Sequence, residues 1–312
     1  MKCIKITKKR KEYSLDEYDY EKSYIHSLNT LSESFIDSIF STSRYKVNYH
    51  TKTIRSGNQF EVEIYPAFKF DSAIPETIVR NKKESTETRK NLDDRNARKK
   101  LNRLVHSNFE AGDYWLHLTF NDEKLPETLE DAENEAINFF RRINRLRKKK
   151  RLDNAKYIYV IEEGEYGTER FHIHLIMDRE LDIESVLSKW KKYGSTTTKI
   201  INFYGDNSLM GICKYLSKDP EVYKKTAFRL KGKRRWGASK NLKQPKERVN
   251  KTKFSRKKVN GMIKNQNSIS DILESEYPAH NFKEVEIKYN DFNGLFYIYA
   301  RMESKKYIRV RR

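Results

Sequence analysis

From Tyr114 onward the hydrophobic and polar positions repeat with alternating periods. WLHLTF (Trp115 to Phe120) alternates, with Leu116, Leu118 and Phe120 on one side and His117 and Thr119 on the other, the period of a β-strand. TLEDAENEAINFFRRINRLRKKKRL then brings Ala136, Phe139, Phe140, Ile143 and Leu146 to helical spacing, acidic in its first turns and basic in its last, as a helix dipole favours. YIYVIEE (Tyr157 to Glu163) predicts a strand, GEYGTE a turn, and RFHIHLIM the antiparallel partner. IESVLSKWKKYG predicts a helix with Ile183, Val186, Leu187 and Trp190 inward, KIINFY a strand and SLMGICKYLSKD a last helix. The order βαββαβ plus one helix predicts an α+β fold, ferredoxin-like or RRM-like. Its antiparallel sheet would carry helices on one face and leave the other for a site.

Upstream, KTIRSGNQFEVEIYPAF holds Ser-Gly-Asn between extended runs and predicts a hairpin. Lys82 to Arg103 is highly charged and helical in pattern, and Leu101, Leu104 and Val105 fall on one side of its continuation. These patterns divide the chain into an N-terminal accessory region (1–95), a central domain with a basic extension (96–245) and a C-terminal accessory region (246–312).

Candidate chemistry lies on the paired strands. His172 and His174 share one strand face, opposite Phe171, Ile173, Leu175 and Met177. If Ile158 and Val160 follow Ile173 and Leu175 toward the helices, Tyr157, Tyr159, Ile161 and Glu163 turn toward the histidines. Glu163 then becomes the third ligand, Glu162 has the wrong parity, and Glu165 in the turn is a second candidate. Two imidazoles and a carboxylate suit Mn²⁺, Mg²⁺, Fe²⁺ or Zn²⁺. On the last helix, Tyr215 and Lys218 stand three apart and share a face.

Charge narrows the partner. The chain carries 65 Lys plus Arg against 44 Asp plus Glu, a formal net charge of +21. Between Lys224 and Lys258 sixteen basic residues stand against one acid, Glu247. A solvated helix face mixes signs, so this run predicts a polyanion, with Phe228, Trp236 and Phe254 as faces for unpaired bases. Candidate nucleic-acid contacts are Lys231, Lys233, Arg234, Arg235, Trp236 and Lys240. No apolar run approaches the ~18 residues of a membrane span, and MKCIKITKKRKEY lacks the apolar segment of a signal peptide. With only Cys3 and Cys213, a disulfide framework is excluded, and a reducing cytoplasm is expected.

WLHLTF, the EEG turn, FHIHLIM and KYLSK, in this order and at these intervals, resemble the three motifs of the HUH endonucleases. Within them the resemblance is to the single-tyrosine rolling-circle replication initiators of plasmids, phages and small single-stranded DNA viruses. NARKKLNRLVHSNF before the first motif and RRWGASKNLKQP after the third are similar to versions in mobile elements of low-GC Gram-positive bacteria. The resemblance covers about 96–245. It implies His172, His174 and Glu163 as ligands of Mn²⁺ or Mg²⁺, Tyr215 as nucleophile and Lys218 as its assisting lysine. The implied activity is nicking and rejoining of single-stranded or hairpin origin DNA in a bacterial cytoplasm, through a 5′-phosphotyrosine link and a free 3′-OH.

A host polymerase would extend that end, and a host helicase is implied because no GxxxxGK[ST] occurs. The next tyrosine, Tyr223, lies too far along for a paired-tyrosine helix face. An HUH relaxase or transposase would use the same motifs, although relaxases carry their tyrosine early and a third histidine in the cluster. A non-catalytic basic nucleic-acid-binding protein, with packed histidines, is the other alternative.

Overall fold

The structure is a computed structural model that describes residue 34 and residues 48–67, 87–163, 170–201, 209–217, 236–290 and 294–305. Its strands are β1 (Asn48–Ser56), β2 (Gln59–Ala67), β3 (Tyr114–Thr119), β4 (Tyr157–Glu163), β5 (Phe171–Met177), β6 (Thr196–Ile200), β7 (Gly237–Ala238), β8 (Lys246–Asn250), β9 (His280–Asn290) and β10 (Leu295–Ser304). The helices are α1 (Glu87–Asn108), α2 (Leu129–Lys149), α3 (Ile183–Ser188), α4 (Met210–Ser217), α5 (Arg256–Lys264) and α6 (Ile269–Glu276). The fold is α+β, with two five-stranded antiparallel sheets among the described residues.

The central sheet runs β6-β3-β5-β4-β7, so the four strands of the βαββαβ unit lie in the order fourth, first, third, second. That is the arrangement of the split βαβ. One face is closed by α2 and α3, where Phe139, Phe140, Ile143, Val186 and Trp190 pack on Leu116, Leu118, Ile173 and Leu175. A reciprocal capping box between Thr128 and Asp131 starts α2. At the end of α2 the buried Arg147 pairs with Asp178, just beyond β5.

The other face is not left bare, contrary to the expectation of helices on one side only. Ile158, Val160 and Ile176 are buried there against Leu101, Leu104 and Val105 of α1 and Cys213 and Leu216 of α4. A strand such as YIYVIEE is apolar at successive positions because both of its faces are covered. The last strand of the unit also moves: β6 is TTTKI rather than KIINFY. Threonines suit this solvent-facing edge strand, while Ile201 leaves it to enter the core under α1 and α4. Residues 202–208 lie outside the described part.

Both flanking stretches contribute to the second sheet, ordered β8-β1-β2-β10-β9. The expected hairpin is β1 and β2, joined by Gly57 and Asn58, with Gly57 at φ 60° as the first position of a type II′ turn needs. A Cβ there would also meet the His106 carbonyl oxygen. Val62, Ile64, Phe296, Ile298 and Met302 pack beneath α5 and α6 with Phe254 and Met262. Helix α1 touches both sheets: its apolar side enters the central core, while Arg103 forms ion pairs with Glu61 (2.6 Å) and Glu63 (2.9 Å) of β2. No described helix is long and apolar enough to cross a membrane.

Candidate active site

Three histidines converge on the sheet face beneath α4. In the antiparallel ladder His117 of β3 lies opposite His174 of β5, and Thr119 lies opposite His172, so all these side chains share one face. One ligand nitrogen from each of His117, His172 and His174 lies within 4.8 Å of the others. The His117 and His174 rings stack with centroids 4.4 Å apart, and His172 meets His117 edge-on at 4.9 Å.

The carboxylate beside them is that of Glu162, which corrects the expected parity. Register pairs Ile161 with Ile173 and Glu162 with His172, leaving Glu163 opposite Phe171. A Glu162 oxygen lies 3.5 Å from His172 Nε2 and 3.2 Å from His174 Nε2. The inversion has a physical source: hydrophobicity directs Ile158 and Val160 to an apolar layer, and they fill the one under α1 rather than the one under α2. When both faces bury apolar groups, hydrophobicity no longer distinguishes them.

His117 also supplies a third histidine, against the expectation of a cluster with two. Its signal is present in WLHLTF, where it alternates with Leu116 and Leu118. Burial, with His174 and His172 beside it, pushes its pKa down to about 4, so the ring is neutral at pH 7 and keeps a lone pair. His117 Nε2 and His174 Nδ1 are buried with no hydrogen-bond partner among the described residues. Neutral, unpaired imidazole nitrogens next to a carboxylate fit a divalent cation, and His117, His172, His174 and Glu162 are the residues that could hold one.

Tyr215 reaches the same cluster from α4. Its hydroxyl stands 3.3 Å from His174 Nε2, and its ring lies edge-on to His174 at 4.9 Å and to Trp115 at 5.5 Å. Helix α1 fixes where α4 begins. His106 Nε2 accepts from the Leu209 backbone N–H at 3.1 Å, and its Nδ1 donates to the Asn102 carbonyl at 2.9 Å. That pair of partners sets the tautomer. Asn102 also donates to Met210 Sδ at 2.9 Å. Burial pushes the Cys213 thiol far up, so this residue packs as expected. The positioning residues His106 and Trp115 were missed, and only tertiary contacts reveal them.

Lys218, Glu165, Lys231, Lys233, Arg234 and Arg235 lie outside the described residues. Trp236 is partly buried against the core under α1, while Lys240 is exposed in a turn. Phe254, expected as a stacking face for bases, is instead buried in the second core beneath α5.

No curated protein and no solved structure matches the chain. Residues 113–220, about a third of the chain and the segment that carries β3 through α4, match the family model for the replication-associated protein ORF2, and this similarity supports a replication initiator protein.

Proposed function

We propose that the protein is a rolling-circle replication initiator of the HUH endonuclease type, nicking and rejoining single-stranded origin DNA through Tyr215. The observation that carries this is the Tyr215 hydroxyl 3.3 Å from His174 Nε2, which brings a phenol to a histidine and carboxylate cluster. A divalent ion held by His117, His172, His174 and Glu162 would supply Lewis-acid polarisation of the scissile phosphate. With three imidazoles in the set, Mn²⁺ suits it better than Mg²⁺, which prefers oxygen ligands.

The chain's own residues do the rest. Trp115 and His174 direct the phenol, which matters because a phenol of pKa about 10 is a weak nucleophile at neutral pH. The phenol oxygen attacks phosphorus as the bond to the 3′ oxygen breaks; the phenol loses its proton, and the departing oxygen gains one. The products are a 5′-phosphotyrosine and a 3′-OH, which a host polymerase extends once a host helicase has opened the duplex. Lys218, three residues after Tyr215, serves to stabilise the negative charge that develops. The basic run around Lys231, Lys233, Arg234, Arg235, Trp236 and Lys240 holds the DNA backbone.

A relaxase uses the same chemistry, and His117 favours it by completing a three-histidine cluster. The tyrosine's place after the histidine strand favours the initiator. A labelled hairpin oligonucleotide from the element that encodes the protein separates the possibilities. Cleavage with Mn²⁺ that stops with EDTA is expected. Intact oligonucleotide in both conditions, with binding retained, would leave a non-catalytic DNA-binding protein.

A further inference from the structure

Away from the histidines, the second sheet ends in an unusual charge arrangement. Among the described residues strand β8 pairs only with β1, and all five of its residues are exposed. Its two faces differ. On one, Lys52 forms an ion pair with Glu247 at 2.7 Å, so charge is balanced. On the other, Arg55 of β1 stands directly opposite Lys246, and Arg248 follows two residues along, opposite Thr53. Lys251 is exposed just past the strand's end. Elsewhere in this region cations are used internally: Lys253 and Lys258 both pair with Glu276.

Two cations directly opposite in a ladder destabilise it. Lysine on an edge strand is a common guard against edge-to-edge pairing, but that explains Lys246 and Arg248 and not Arg55 on the inner strand. Arg55 and Lys305 also bear on His280: with burial as the larger cause, they hold that imidazole below its ordinary range, a sign of a locally positive field. The strip presents no aromatic ring, since Phe254 is buried in the core. Single-strand sites use ring faces to stack bases, whereas duplex DNA can be held by phosphate contacts alone.

We infer that Arg55, Lys246, Arg248 and Lys251 form a duplex-DNA surface that grips the phosphate backbone beside the origin. It is separate from the histidine site and rests on the proposed nucleic-acid function. The test is a triple variant, Arg55→Gln with Lys246→Gln and Arg248→Gln, in the full chain. Binding to a fluorescent blunt duplex of about 20 base pairs is measured against salt concentration. The expected result is weaker binding, with the slope of log affinity against log salt reduced by about three, close to one per lost phosphate contact.

Cleavage of a short single-stranded oligonucleotide with Mn²⁺ should be unchanged. That control separates failure of this surface from failure of the endonuclease reading. An unchanged duplex affinity and slope would overturn the inference and leave edge protection as the role of these charges. No duplex binding by the unaltered protein, or equal losses on duplex and single strand, would overturn it as well.

Discussion

Glu162 and Glu163 are chemically the same and adjacent, and the ladder alone separates their roles. Glu162 lies opposite His172 with its carboxylate at the imidazoles, whereas Glu163 lies opposite Phe171. Glu162→Ala is therefore expected to cut Mn²⁺ affinity and oligonucleotide cleavage at least about tenfold, and Glu163→Ala to keep most of both. Calorimetric Mn²⁺ titration and single-turnover cleavage measure the two effects; equal loss in both variants would contradict the register. At this scale the sequence was legible where alternation is local. His172, His174 and Tyr215 stand where their spacing put them, and the cluster lacks only what crosses strands. His117 was readable on the correct side of its strand, but its meeting with His174 depends on a pairing between segments more than fifty residues apart.

At the scale of elements, the βαββαβ order was legible because its strands and helices differ so clearly in period. What escaped was the covering of the second face, since α1 and α4 are amphipathic in themselves and nothing local says which sheet face they seek. The same limit hid the second sheet: β9 and β10 alternate well, with Val285, Ile287 and Tyr289 facing Ala300, Ile298 and Phe296, but the sheet needs β1 and β2 from the other end of the chain. His280 at the start of β9 gives that sheet a measurable signature. It stacks on Phe60 with centroids 4.0 Å apart, and burial, then Arg55 and Lys305, hold its pKa below the usual histidine range. The folded state thus prefers the neutral ring, while the unfolded chain takes up a proton near pH 6.5. Stability from this residue is present above that pH and is lost as pH falls below it. His280→Phe keeps the stacked ring and removes the titration, so the drop in melting temperature between pH 7.5 and pH 5.5 should be smaller than in the parent protein. An unchanged drop would show that His280 is not among the groups that set it.

Taken as a whole molecule, the protein joins a central sheet that carries the candidate chemistry to a second sheet that carries unbalanced positive charge, with α1 contacting both. The net charge of +21 was legible from composition, but its division was not. Part of the basic run forms β8 and the start of α5, where Lys253 and Lys258 serve the fold through Glu276 and Phe254 serves the core. Nucleic acid remains the partner that this charge and the replication-associated match both favour. The central claim is that Tyr215 joins covalently to DNA while the histidine face activates the phosphate. It is tested most directly by incubating the protein with Mn²⁺ and its origin oligonucleotide, digesting the product with nuclease and protease, and locating the adduct by mass spectrometry. The account predicts a nucleotide linked through its 5′-phosphate to Tyr215, absent with EDTA and absent in a folded, DNA-binding Tyr215→Phe variant. An adduct on Tyr193, Tyr204 or Tyr223, or one that survives Tyr215→Phe, would contradict it.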